Sequence, residues 1–83
     1  MKKGRHDVIY TMLKEAKSRI KKTVLMHRAN MSSEQIGIYL PLLVKKELME
    51  ELLPNNGDGK MYKTTQKGME FLETYNLLDS FIA

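Results

Sequence analysis

One short stretch, Ala29-Asn30-Met31-Ser32-Ser33-Glu34-Gln35, constrains this chain most, because it must end one helix and begin another within a few residues. Asparagine tolerates the left-handed backbone that closes many helices, so Asn30 is expected to stop a helix arriving from upstream. Ser32 followed by Gln35 forms a capping box. The hydroxyl accepts from a free backbone amide of the first turn, and the glutamine side chain accepts in return from the serine amide. Two helices joined this tightly make a helix-turn-helix.

Apolar spacing fills in the elements on either side. Val8, Ile9, Met12, Leu13, Ala16 and Ile20 recur at three-to-four spacing, which predicts an amphipathic helix from Asp7 to about Arg19. The run Lys17-Ser-Arg-Ile-Lys-Lys22 interrupts the pattern, and Thr23 is placed to cap a short second helix through Val24, Leu25 and Met26 to Ala29. The third helix, from the capping box to about Lys46, turns Ile36, Leu40, Leu43 and Val44 inward and Glu34, Ile38, Pro41, Leu42 and Lys45 outward. It carries two helix breakers four residues apart, Gly37 and Pro41. A proline ring strikes the carbonyl four residues back, and here that residue has no side chain, so the pair is expected to act as one kink.

Beyond Lys46, Leu48–Leu53 and Lys60–Thr64 flank a segment dense in turn formers, Pro54-Asn-Asn-Gly-Asp-Gly59. Strands at about 48 to 53 and 60 to 64, joined as a hairpin, are predicted. Thr65 then caps a last helix in which Met69, Phe71, Leu72, Tyr75, Leu78, Phe81 and Ile82 cover more than one face. The order is mainly α with a small β-hairpin: a winged helix-turn-helix plus a C-terminal helix, one domain over 1–83. It divides into a basic arm (1–6), the winged core (7–64) and the C-terminal helix (65–83). The surplus apolar face, Phe71, Tyr75, Leu78, Phe81 and Ile82, predicts a homodimer through that helix. Dimerisation also suits 83 residues, a length at which a lone core is marginal.

Charge is segregated. Residues 1–30 carry nine basic groups against Asp7 and Glu15, whereas residues 31–83 carry five basic and eight acidic ones. A positive surface facing a polyanion follows from that asymmetry. Cysteine is absent, which removes disulfides and thiolate chemistry and fits a reducing cytoplasm. No apolar run approaches the roughly 20 residues that span a bilayer, and none of signal-peptide type follows the basic N-terminus. No enzyme is visible: His6 and His27 lack partners at metal-ligand spacing, no serine has an acid/base companion, and no glycine-rich phosphate loop follows a strand. The seven methionines sit at scattered apolar positions and read as core filler. Neither a cofactor nor a metal is expected.

Two spaced motifs carry a family resemblance. Ala29, Asn30, Met31, Ser32, Gln35, Ile36, Tyr39, Leu40, Leu43, Leu48 and Met49, followed by Tyr62, Thr65, Lys67, Gly68, Phe71, Leu72 and Tyr75, resemble small archaeal winged-helix proteins over about residues 7 to 78. Glu47 stands where that pattern has a glycine, and Gly37 and Pro41 replace polar helix formers. The resemblance implies duplex DNA binding by a homodimer with paired, antiparallel last helices, in transcription regulators or chromatin-associated proteins. Such a protein would be cytoplasmic and nucleoid-associated.

In a helix-turn-helix the second helix enters the major groove and its N-terminal residues meet base edges. Ser33, Gln35 and Ile38 are the candidates for that role. Glutamine pairs with adenine, serine bonds to several edges, and isoleucine meets a thymine methyl. Phosphate contacts need only charge or a hydroxyl within reach, which selects Lys2, Lys3, Arg5, Lys21, Lys22, Arg28, Ser32, Tyr39 and Lys45. Asn55, Asn56 and Lys60 are the candidates at the wing. The alternative is a protein-interaction module that keeps the fold without DNA readout, motivated by the outward apolar set Ile38, Pro41 and Leu42 beside Glu34.

Overall fold

Three junctions are closed largely by side chains and backbone groups a few residues away. The computed structural model describes residues 4–53 and 59–82 and contains α1 (Arg5–Glu15), β1 (Ile20–Lys21), α2 (Lys22–Arg28), α3 (Ser33–Lys45), β2 (Met49–Leu52), β3 (Met61–Thr64) and α4 (Gln66–Ile82). At the end of α2, Asn30 takes the left-handed conformation (φ 53°) while its N–H bonds to the His27 carbonyl and the Met31 N–H to that of Met26. The capping box forms as expected. Gln35 N–H donates to Ser32 Oγ at 3.1 Å, and Ser32 N–H donates to Gln35 Oε1 at 3.0 Å. Thr65 Oγ1 accepts from the Gly68 N–H at 3.1 Å and donates to the Glu47 carbonyl at 2.6 Å, so one hydroxyl caps α4 and ties it to the end of α3.

α3 ends by the same device as α2. The Glu47 N–H reaches the Val44 carbonyl and the Leu48 N–H that of Leu43, which forces Glu47 to φ 62°. This is the conformation glycine adopts without penalty, and a glutamate there carries roughly 1–2 kcal/mol of strain. The missing family glycine therefore changes the residue and keeps the turn. Across Pro41 the helix is unbroken from Ser33 to Lys45. A Cβ on Gly37 would meet nothing within 4 Å, so packing within the chain does not require glycine there.

Two elements differ from their sequence-based expectation. α1 stops at Glu15 rather than near Arg19, because its last carbonyls are taken by a distant strand: Thr64 Oγ1 donates to the Leu13 carbonyl (2.7 Å) and the Thr64 N–H to that of Ala16 (2.8 Å). The freed chain then forms β1, so Ile20 is buried from a strand and not from a helix. Lys21, not Thr23, precedes α2 as its cap residue, without a side-chain bond. At the other end α1 begins at Arg5, two residues before the expected start, with the Gly4 N–H on Asp7 Oδ2 at 2.9 Å. Arg5 thus lies in a helical turn and not in an arm.

The sheet is antiparallel in the order β1-β3-β2, pairing Ile20 with Tyr62 and Met49 with Thr64. Met12, Leu13, Leu25, Ile36, Leu43 and Met49 are fully buried between it and the helices. α4 is held against this core at two points. A Cβ on Gly68 would lie 2.2 Å from the Leu48 carbonyl oxygen and 2.5 Å from Thr64 Cγ2, so only glycine permits the approach. About two turns later Tyr75 stacks on Tyr10 with ring centroids 4.2 Å apart, Tyr10 Oη donates to Asn76 Oδ1 at 3.1 Å, and Tyr75 Oη donates to Asp7.

Candidate nucleic-acid interface

The turn between α2 and α3 presents the outer side of α3 to solvent. Ser33, Glu34, Gln35, Gly37, Ile38, Pro41 and Lys45 are all exposed, and Ile38 retains 62% of its surface. Of the three base-contact candidates, Ser33 opens the helix, Ile38 stands outward, and Gln35 is engaged in the cap through Oε1. A bidentate hold on adenine uses both the oxygen and the nitrogen of a glutamine amide. Gln35 is therefore a capping residue first. Glu34 lies in the first turn, where a negative charge is favourable at the positive end of the helix dipole.

A groove of about 380 Å³ flanks this helix, and a second of about 380 Å³ adjoins the first. One runs between α3 and the sheet, bordered by Gly37, Pro41 and Lys45 on the helix and by Lys22, Glu51 and Tyr62 opposite. Lys21, Lys22, Thr23, Gly59, Lys60 and Tyr62 line the other, at the base of the wing. Lys22 and Tyr62 belong to both. The fold thus brings Lys22 and Lys45 together along α3 and places Lys21 and Lys60 in the adjoining groove, from three separate stretches of chain.

Glu51 is the acidic group in this basic surround, and it is engaged. Lys60 Nζ stands 3.2 Å from its Oε1, and Tyr62 Oη donates to the same oxygen at 3.2 Å. The ion pair is exposed and adds little stability, but it offsets a negative charge that would repel a polyanion. Burial, and after it the Glu51 carboxylate, raises the Tyr62 phenol above its ordinary pKa.

Other expected phosphate contacts are more dispersed. Arg28 is exposed in the last turn of α2 and Arg5 in the first turn of α1, and neither borders the two grooves. Tyr39 is half-buried against the core, while Ser32 is exposed in its capping box. Lys2, Lys3, Asn55 and Asn56 lie outside the described residues. Sequence reasoning missed the groove-facing side of α3. Its signal was present: Gly37, Pro41 and Val44 recur at helical spacing along one edge of the helix.

The expected dimer face divides in two. Phe71 and Tyr75 are half-buried, with Tyr75 packed on Tyr10 of its own chain, whereas Leu77, Leu78, Phe81 and Ile82 keep 60–85% of their surface. The hydrogen bond to Asp7, followed by desolvation, pushes the Tyr75 phenol up to about 12. Among the described residues no group of three His, Cys, Asp or Glu could hold a metal ion, and no helix is long and apolar enough to cross a membrane.

A tight helix-turn-helix backed by a three-stranded sheet whose hairpin forms a wing defines the winged-helix class. The chain belongs to the winged helix-turn-helix family, whose model matches residues 2–82. Its fold is similar to the crystal structure of Sso10a-2, a DNA-binding protein from Sulfolobus solfataricus, with a TM-score of 0.82 at 19% identity over 95% of this chain and 81% of that one. Among curated proteins none matches it.

Proposed function

We propose that this chain is a homodimeric, non-catalytic DNA-binding protein that lays α3 against duplex DNA, as a transcription regulator or a chromatin-associated protein. The observation that carries the reading is the convergence of Lys21, Lys22, Lys45 and Lys60 on the grooves beside an exposed, capped α3. Lysines at a helix flank and a wing base suit the two phosphate backbones that border a major groove, which hold the protein in place without carrying sequence information. Ser33 and Ile38 face the base edges in this arrangement, with Gln35 beside them held by its cap, while Lys2, Lys3, Arg5, Arg28, Ser32 and Tyr39 extend the phosphate contacts. Asn55, Asn56 and Lys60 serve the wing. The DNA-binding description of the similarly folded Sulfolobus protein agrees with this reading. The exposed apolar end of α4, with Phe71 and Tyr75 at its margin, supplies the self-association surface.

Anisotropy of a labelled duplex over a salt series tests the proposal. The expected result is binding whose log affinity falls by about 0.9 per unit log salt for every phosphate neutralised. Replacing Lys22 and Lys45 by alanine should weaken binding and flatten that slope by about two contacts' worth. A wild-type protein that fails to bind duplex DNA at low salt would overturn it.

A further inference from the structure

The outer side of α3 lacks the groups that commonly read bases. Its first two turns, Ser33 to Tyr39, contain no lysine or arginine, so the frequent cation contact to guanine O6 and N7 has no donor there. Gln35 has its carbonyl oxygen on the Ser32 amide, and Glu34 is an anion among phosphates. What the helix offers instead is apolar. Ile38 is 62% exposed, Pro41 stands exposed one turn later on the same side, and Gly37 beside them leaves open space where a side chain would be.

The major groove contains one apolar group, the C5 methyl of thymine. We infer that Ile38 and Pro41 form a methyl-reading stripe, through which α3 distinguishes thymine-bearing from methyl-free base pairs. This rests on the DNA reading above and adds to it the chemical feature that the helix recognises. Charge selects this occupant over an apolar protein surface: Lys22 and Lys45 border the groove beside the stripe, Lys21 continues the positive rim, and Lys60 offsets Glu51. A polyanion satisfies those lysines while its methyl groups meet the stripe. Gly37 assists by its size alone, letting a base edge approach the helix backbone next to Ile38.

The test compares an alternating adenine–thymine duplex with the same duplex built from deoxyuridine, which lacks only the methyl. Wild-type protein should bind the thymine duplex more tightly, by about fourfold for each methyl group covered. Ile38→Ala should lower the thymine affinity towards the uracil value and narrow the difference, with its thermal unfolding unchanged because the side chain is exposed. Lys45→Ala should weaken both duplexes alike and keep their ratio. Equal wild-type affinities for the two duplexes would refute methyl reading while leaving DNA binding intact. A thymine preference that survives undiminished in both Ile38→Ala and Pro41→Ala would assign it to DNA shape and remove the stripe. Binding to neither duplex would overturn the DNA reading itself, and the inference with it.

Discussion

α3 and α4 both begin at a hydroxyl cap and both contain a glycine in an apolar helix, yet the two glycines do opposite things. Gly68 is where α4 touches the backbone of Leu48, and any side chain there would collide with a carbonyl oxygen. Gly37 faces open space. A residue type that weakens a helix by about 1 kcal/mol is thus essential to packing in one helix and unnecessary to it in the other. The contrast extends along both elements. α3 buries one continuous stripe, Ile36, Leu40 and Leu43, and leaves its opposite side exposed. α4 buries only its first turns, at Gly68 and Leu72, and leaves an apolar end that nothing in its own chain covers.

Substitutions break this comparison at different strengths. Gly68→Ala has the largest expected effect, a loss of about 3 kcal/mol in urea unfolding, because the collision is with backbone and not with a flexible side chain. Next, Leu78→Glu combined with Phe81→Glu should convert a sedimenting dimer to a monomer with its helical circular dichroism retained. An unchanged mass, or a monomeric wild type at micromolar concentration, would remove the self-association surface. Gly37→Ala should act in the opposite sense to Gly68→Ala and raise stability by up to about 1 kcal/mol. Glu47→Gly should do the same by about 1 kcal/mol, since it relieves a positive φ. If Glu47→Gly proves destabilising, the strain assigned to the end of α3 is wrong.

The smallest effect concerns the clasp between α1 and α4. Tyr75 is neutral in the fold, and its pKa is raised from 10 to about 12, chiefly by its hydrogen bond to Asp7. The folded state therefore favours the protonated phenol. Its contribution is complete below pH 10, declines as pH rises, and is lost above about 12. Tyr62, raised by burial, adds a loss of the same sign. Alkaline titration of thermal unfolding should show the decline in the wild type and a smaller one in Tyr75→Phe. An equal decline in both would deny the clasp a role.

Features whose physical cause lies within a few residues were legible in the sequence. Asn30 closes α2, Ser32 and Gln35 cap α3, Thr65 caps α4, and the stripe of Ile36, Leu40 and Leu43 follows from helical spacing alone. The same locality explains the sequence-level view of the candidate interface: outward residues of α3 follow from helix geometry, but the grooves beside them do not. Lys21, Lys22, Lys45 and Lys60 share a surface only because β3 pairs with β1 on one side and β2 on the other.

Where a partner comes from far along the chain, the sequence was silent or misleading. Periodicity carried α1 four residues too far because it counts apolar side chains, whereas Thr64, some fifty positions away, supplies the groups that end the helix. β1 exists because β3 offers it a free edge, and two residues contain no pattern to announce it. Local chemistry thus determined where α2 stops, where α3 and α4 start and which way the faces of α3 turn. Tertiary structure alone decided the third strand, the glycine contact at Leu48 and the meeting of the lysines. Each of these needs a backbone or side-chain partner that chain folding, and not chain sequence, brings within reach.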